Sequence, residues 1–171
     1  MNIYDALERA LSRVDEGNWR ETLDVLHGQA GSWQRLADQL GVDKRTVERW
    51  RLGYVDKRTH ERRQISQATV KRSVLPKLRQ AFKANRAAQV ARVNWSKLQL
   101  RGDLQIADYP PLEERMYLGP YLSGEAIAGL ADAYISGDPD RVQAAFDNAL
   151  GEDYIGNGDT SIGDVSDLDF G

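Results

Sequence analysis

Lys44, Arg45, Glu48 and Arg49 stand at positions i, i+1, i+4 and i+5 of one run, which a helix of 3.6 residues per turn gathers on a single face. The set combines strong donors with one acceptor. Arg and Lys can donate to the O6 and N7 of guanine, and Glu can accept from the N4 of cytosine, so this face can address the edges of base pairs. Thr46 and Arg51 flank the stripe and suit phosphate oxygens, which fix position without reading sequence. Downstream, Lys57, Arg58, Arg62 and Arg63 extend the same chemistry into a segment that reads as an extended arm or wing. His60 sits in that arm as a phosphate neighbour or a surface residue, and with His27 it completes the 2 histidines of the chain. Cysteine is absent, which removes disulfides, zinc–thiolate sites and thiol chemistry.

These side chains need a rigid support, and Trp33 to Leu52, WQRLADQLGVDKRTVERWRL, supplies the pattern for one. Leu36, Leu40, Val42, Val47 and Trp50 form one apolar seam across two short helices. Ala37 is small where the helices must cross, and Gly41 tolerates the positive φ of a tight turn. Ser32 and Asp43 fall where each helix needs an N-cap. The pattern predicts a helix-turn-helix whose second helix enters the major groove. Two upstream helices, over residues 3–14 and from Asn18 to Gly28, are expected to build its platform, with Trp19 and Trp33 in the core.

Charge divides the chain sharply. Residues 1–43 carry net −4, residues 44–101 net +14 and residues 102–171 net −13, which together give the overall −3. The middle third has the field of a polyanion-binding protein, and the last third would be repelled by DNA. From Ser66 to Arg92 a basic helical pattern continues, with Pro76 opening a second helix through Arg92. Lys71, Arg72, Lys77, Arg79, Lys83, Arg86 and Arg92 form its polar side, a second phosphate-tracking surface or, alternatively, an electrostatic contact for the acidic third.

After Val93 the character changes. VNWSKLQLR predicts a strand, Gly102-Asp103 a turn, Pro110-Pro111 a loop and RMYLGPYL a short strand. Ser123 and Asp138-Pro139 open two helices, the second ending at Gly151. Strand, helix, turn, helix is the order of a ribbon-helix-helix unit, which points to a homodimer. The acidic tail has the composition of a mobile segment, yet it spaces Ile162, Val165, Leu168 and Phe170 so that it can dock as an edge strand or a short peptide on this chain or on a partner. Its Asp residues do not follow the order of a calcium-binding loop.

The ordered set resembles a known family: the terminal proteins that cap the telomeres of linear actinobacterial chromosomes and plasmids. DALERA (Asp5 to Ala10) is similar to the family's opening, and LADQLGVDKRTVERWRLGYVDKR (Leu36 to Arg58) to its helix-turn-helix. The basic helices with an internal proline, the helical half and the acidic–apolar tail keep the family's order. The resemblance implies a protein that binds telomeric DNA and offers a hydroxyl to a partner DNA polymerase or replication accessory protein. That hydroxyl takes the first nucleotide and joins the 5′ end. The family's acceptor is a threonine between the basic helices and the last helical half, whereas this chain has no threonine between Val70 and Asp159. Between the basic helices and the last helical half the hydroxyls are those of Ser96, Tyr109, Tyr117, Tyr121 and Ser123, with Tyr109 and Ser96 the acceptor candidates, while Tyr117 and Tyr121 are read as core or interface residues.

No phosphate-binding loop, dinucleotide glycine pattern, serine triad or metal cluster is present in the sequence. The expectation is therefore a non-enzymatic DNA-binding protein without a cofactor, cytoplasmic and nucleoid-associated, with no membrane span. The fold class is α+β and mostly helical. It comprises a helix-turn-helix domain with basic arm (1–64), a basic helical connector (65–92) and an acidic strand-helix-helix half with acidic tail (93–171). A dimeric repressor or plasmid replication and maintenance regulator is the alternative, and an adaptor whose acidic half recruits a replication protein is a third.

Overall fold

The amphipathic run at the start forms α1 (Ile3–Leu11), which buries Ile3, Ala6, Leu7, Ala10 and Leu11. The structure, a computed structural model, describes residues 1–156 and 159–171; Asn157 and Gly158 of the acidic tail lie outside the described residues. The chain is α+β and mostly helical. It divides into two compact units, one of Ser12–Arg92 and one joining Met1–Leu11 to Val93–Gly171. These bounds differ from the 1–64, 65–92 and 93–171 division read from the sequence. In particular α1, expected to help build the platform for residues 33–52, belongs to the other unit, where it packs on the C-terminal strand. Amphipathicity shows that a helix has a face to bury and is silent about its partner.

In the unit of Ser12–Arg92, α2 (Trp19–Ala30) is followed by α3 (Trp33–Leu40) and α4 (Lys44–Leu52). The expected Asn18 cap of α2 does not form, because the Asn18 side chain accepts from the Asp15 N–H instead. A two-stranded antiparallel hairpin follows, β1 (Tyr54–Val55) with β2 (Arg62–Arg63). Then come the single turn α5 (Gln67–Thr69), a π-helical turn at Val70–Val74, α6 (Leu75–Lys83) and α7 (Arg86–Arg92). Pro76 cannot donate to the carbonyl four residues back, and the chain widens just before it, with Leu75 N–H bonded to Val70 O. The single helix expected from Pro76 to Arg92 is split because Asn85 Oδ1 accepts the Ala88 N–H at 3.0 Å and restarts the helix. Leu23, Leu36, Val47, Val74, Leu78 and Phe82 are all fully buried in one apolar cluster. Each such side chain stabilises the fold by roughly 1.5–3 kcal/mol over leaving it in water.

In the other unit a 3₁₀ turn (Trp95–Lys97) leads into β3 (Gln99–Ile106) and β4 (Leu112–Tyr117). Next are α8 (Gly124–Ser136), α9 (Pro139–Ala149), a π-helical turn at Leu150–Ile155 and β5 (Thr160–Asp169). The sheet is antiparallel in the order β4-β3-β5. Gly102-Asp103, read from the sequence as a turn, lies inside β3. A Cβ on Gly102 would stand 2.6 Å from the Asp164 carbonyl oxygen, so the glycine serves a close approach of two strands. The same approach explains the odd spacing of the tail. Leu100, Gly102 and Leu104 pair with Leu168, Val165 and Ile162, so β5 spends three residues for every two of β3 through consecutive register shifts. Those shifts return the three apolar residues of β5 to the buried face. On its other side β5 meets Met1, whose carbonyl accepts the Val165 N–H at 2.7 Å and whose amine donates to Val165 O at 3.0 Å. The strand before α8 is thus paired within its own chain to β3, and the full order is ββααβ rather than the ribbon-helix-helix order expected.

Among the described residues no helix is long and apolar enough to cross a membrane.

Candidate nucleic-acid interface

Local signals fix the α3–α4 hairpin. The Ser32 hydroxyl accepts from Arg35 N–H at 3.2 Å and opens α3. Gly41 closes it in the left-handed region at φ 64°, with Val42 N–H bonded to Ala37 O at 3.0 Å. Asp43 then opens α4, its carboxylate accepting from both the backbone N–H and the hydroxyl of Thr46 at 2.9 Å. These bonds, the backbone one foremost, hold the Asp43 carboxyl below its ordinary value. Leu36, Ala37 and Leu40 of α3 and Val47 and Trp50 of α4 are buried, with Val42 partly so. Lys77 reaches from α6 to bond the Leu40 carbonyl at 3.3 Å, satisfying the end of α3.

The outward face of α4 follows from this seam. Arg45 and Arg49 are exposed, and Arg45 has no partner among the described residues. The Arg49 guanidinium lies 4.8 Å from the ring centroid of Tyr54 on β1, so the ring orients it while leaving its donors in water. Lys44 and Glu48 pair along the helix at 3.5 Å, an exposed contact of little energetic weight. Arg51 turns inward to Asp24 of α2 at 2.6 Å and clamps the two helices. Thr46 spends its hydroxyl on the cap. Arg51 and Thr46, both assigned to phosphates from the sequence, thus have structural partners.

The basic arm is the β1–β2 hairpin. Asp56 organises its tip: one carboxylate oxygen accepts from the Arg58 and Thr59 N–H groups at 2.8 and 3.3 Å, and the other meets Arg63 Nε at 3.4 Å. Arg62 donates to the Leu52 carbonyl at 3.0 Å, tying the hairpin to the end of α4. Arg62 and Arg63 therefore hold the hairpin, and Lys57, Arg58 and His60 are carried exposed at its tip. His60 adopts φ 55°, which closes the loop. The signal for this turn was Asp56, which accepts backbone N–H groups two and three residues on.

The basic helices resolve differently from a single polar face. Arg92 is half-buried, donates to the Thr22 hydroxyl at 3.0 Å and lies 4.5 Å from the Phe82 ring centroid; burial lowers its pKa. Lys71 pairs with Glu16 at 3.2 Å, and Lys77 is committed to Leu40. His27 stacks on Trp33 with centroids 3.8 Å apart.

Of the hydroxyl candidates, Ser96 donates to Asn94 Oδ1 at 2.7 Å within a capped turn. Tyr109 is 71% exposed in the loop between β3 and β4, where Gln105 Nε2 donates to the backbone carbonyls of Ala107 and Tyr109. Tyr117 and Tyr121 are exposed rather than core, since Tyr117 lies on the open face of β4 and Tyr121 packs only edge-on against Tyr154 at 5.4 Å.

No protein-family model, curated protein or solved structure matches the chain.

Proposed function

We propose that the chain binds duplex DNA through a winged helix-turn-helix in which α4 enters the major groove and the β1–β2 hairpin lies along the backbone. The observation that carries this reading is the exposed Arg45–Arg49 face of α4, continuous in sequence with a hairpin carrying Lys57 and Arg58 at its tip and raised on a capped, glycine-turned helix pair. Arg45 is the first base reader, because it projects from the opening turn of α4, the part of a recognition helix that reaches base edges. Arg49, set by Tyr54, is the second. Lys57 and Arg58 contact phosphates. Selection of binding sites from a random duplex library tests this: the chain should enrich one motif, and Arg45→Ala should relax one base pair of it. Enrichment of no motif, together with salt-insensitive binding, would refute it.

The biological setting follows from the family resemblance: a protein at the ends of linear DNA that presents a hydroxyl to a polymerase. Tyr109 suits that role better than Ser96, because its hydroxyl is carried on an exposed loop while that of Ser96 is bonded to Asn94. Mass measurement of the nuclease-digested protein from its native host separates this from a repressor. A residual nucleotide on Tyr109 supports the terminal role, and an unmodified chain that protects an internal duplex site assigns it to regulation.

A further inference from the structure

The seven basic residues between Ser66 and Arg92 read as one surface in sequence, and the fold disperses them. Arg92 is half-buried against Thr22 and Phe82, Lys71 is held by Glu16 and Lys77 by the Leu40 carbonyl. Of the other four, Arg72, Arg79, Lys83 and Arg86, two lie together: Arg79 and Lys83 stand one turn apart on the exposed side of α6. They do not stand alone. The segment before α2 is pinned by buried Val14, and this brings Arg13 to the same place. Ser12, Arg13, Val14, Asp15, Arg79 and Lys83 line one cleft of about 330 Å³. Nothing in the spacing of Arg13 relates it to α6 in sequence.

We propose that this cleft binds a phosphate group. Arg13, Arg79 and Lys83 are exposed cations with no ion pair among the described residues, against a single lining carboxylate, Asp15. Asp15 is itself drawn on by another cation, since it helps hold the charge on Arg92. Three like charges gathered at a concave surface repel one another, and low-dielectric walls focus their field outward, so an anion entering the cleft relieves the repulsion. A guanidinium offers paired donors to phosphate oxygens and an ammonium adds a point charge; the Ser12 hydroxyl provides a further neutral donor. A tetrahedral dianion fits this donor set better than a carboxylate does. Two sources share the chemistry: a backbone phosphate of nucleic acid outside the groove occupied by α4, or a free phosphate or nucleotide. The first source rests on the DNA-binding reading above, and the second does not.

The test uses the full chain and the Arg79→Ala/Lys83→Ala double variant, whose two side chains are exposed and whose fold is checked by circular dichroism. Arg45→Ala serves as the control outside the cleft. Inorganic pyrophosphate is titrated by calorimetry, and random-sequence duplex is titrated by fluorescence anisotropy across a salt series. Wild type and Arg45→Ala should bind pyrophosphate alike, and the double variant should lose about tenfold or more. If the source is nucleic acid, the salt slope of duplex binding also falls by about two in the double variant, at roughly 0.9 per phosphate contact. A pyrophosphate loss with an unchanged duplex slope assigns the cleft to a free phosphate. A double variant equal to wild type in both titrations overturns the proposal. If wild type binds no duplex at all, the DNA reading fails while the pyrophosphate titration still decides the cleft.

Discussion

The two compact units use opposite charges in opposite ways. The unit of Ser12–Arg92 carries net +9, and the unit joining Met1–Leu11 to Val93–Gly171 carries net −12. In the acidic unit several carboxylates are consumed by the fold itself. Asp138 accepts the Asp140 and Arg141 N–H groups, Asp153 the Ser123 N–H, Asp147 the Ile162 N–H and Asp169 the Gly171 N–H. A carboxylate suits this work because it is short and accepts backbone donors where turns and helix starts leave them open. In the basic unit, Arg51, Arg62, Arg63 and Arg92 brace elements, and Arg13, Arg45, Lys57, Arg58, Arg79 and Lys83 project without an ion pair among the described residues. Excess positive charge is left facing water, and excess negative charge is partly spent on backbone. That asymmetry is what the proposed DNA-binding reading rests on: cations left outward in one unit, carboxylates folded into turns in the other.

Breaking the basic unit at its core has the largest expected effect. Trp50→Ala removes the buried ring that holds α4 to α3 and should destabilise the unit by about 3–5 kcal/mol, read from denaturant melts. A loss below about 1 kcal/mol would show that α4 is not held by this seam. Next, Gly102→Ala in the acidic unit forces a Cβ against the Asp164 carbonyl and should cost about 1–3 kcal/mol, since backbone cannot move aside as a side chain can. Arg45→Ala should weaken specific DNA binding by about 1–3 kcal/mol while leaving thermal stability unchanged. Equal losses on specific and random duplex would remove Arg45 from base reading. Smaller still, Ser32→Ala should cost about 1 kcal/mol of stability through the lost cap of α3.

The smallest effect sharpens the comparison by sign. Asp43 in the basic unit has its carboxyl pKa lowered by the bonds to Thr46, so its contribution is present above the ordinary value of 3.8 and lost as pH falls through the lowered one. Asp147 in the acidic unit has its pKa raised by burial, partly offset by its bonds to Ile162 and Gln143. Its contribution runs the other way, full below 3.8 and lost as pH rises through the raised value. Melts of Asp43→Asn and Asp147→Asn from roughly pH 3 to 6 should therefore shift the pH dependence of stability in opposite directions. Parallel shifts would contradict the assigned causes.

What could be read from the sequence was what is decided within a few residues. The Ser32 and Asp43 caps, the left-handed Gly41 and the buried seam from Leu36 to Trp50 are local, and all form. The strand at 99–106 was displaced because Gly102-Asp103 carries a turn signal whose real cause, the Asp164 carbonyl, is more than sixty residues away. The burial face of α1 was legible, and its partners β5 and α9 were not. On α4, residue type and position offer both Arg45 and Arg51 as DNA contacts, the first to bases and the second to phosphate. Only the Asp24 contact, 27 residues distant, separates a bracing arginine from one that faces outward. Arg13 carries no such signal in sequence for the same reason, since its companions in the cleft lie on α6.

The most direct test is a backbone amide chemical-shift map of the full chain titrated with duplex DNA carrying its selected site. Shifts should concentrate on residues 44–52 of α4 and 56–61 of the hairpin, with the β3, β4 and β5 amides unmoved. Shifts centred on the sheet of the acidic unit, with α4 silent, would contradict the assignment of the DNA surface.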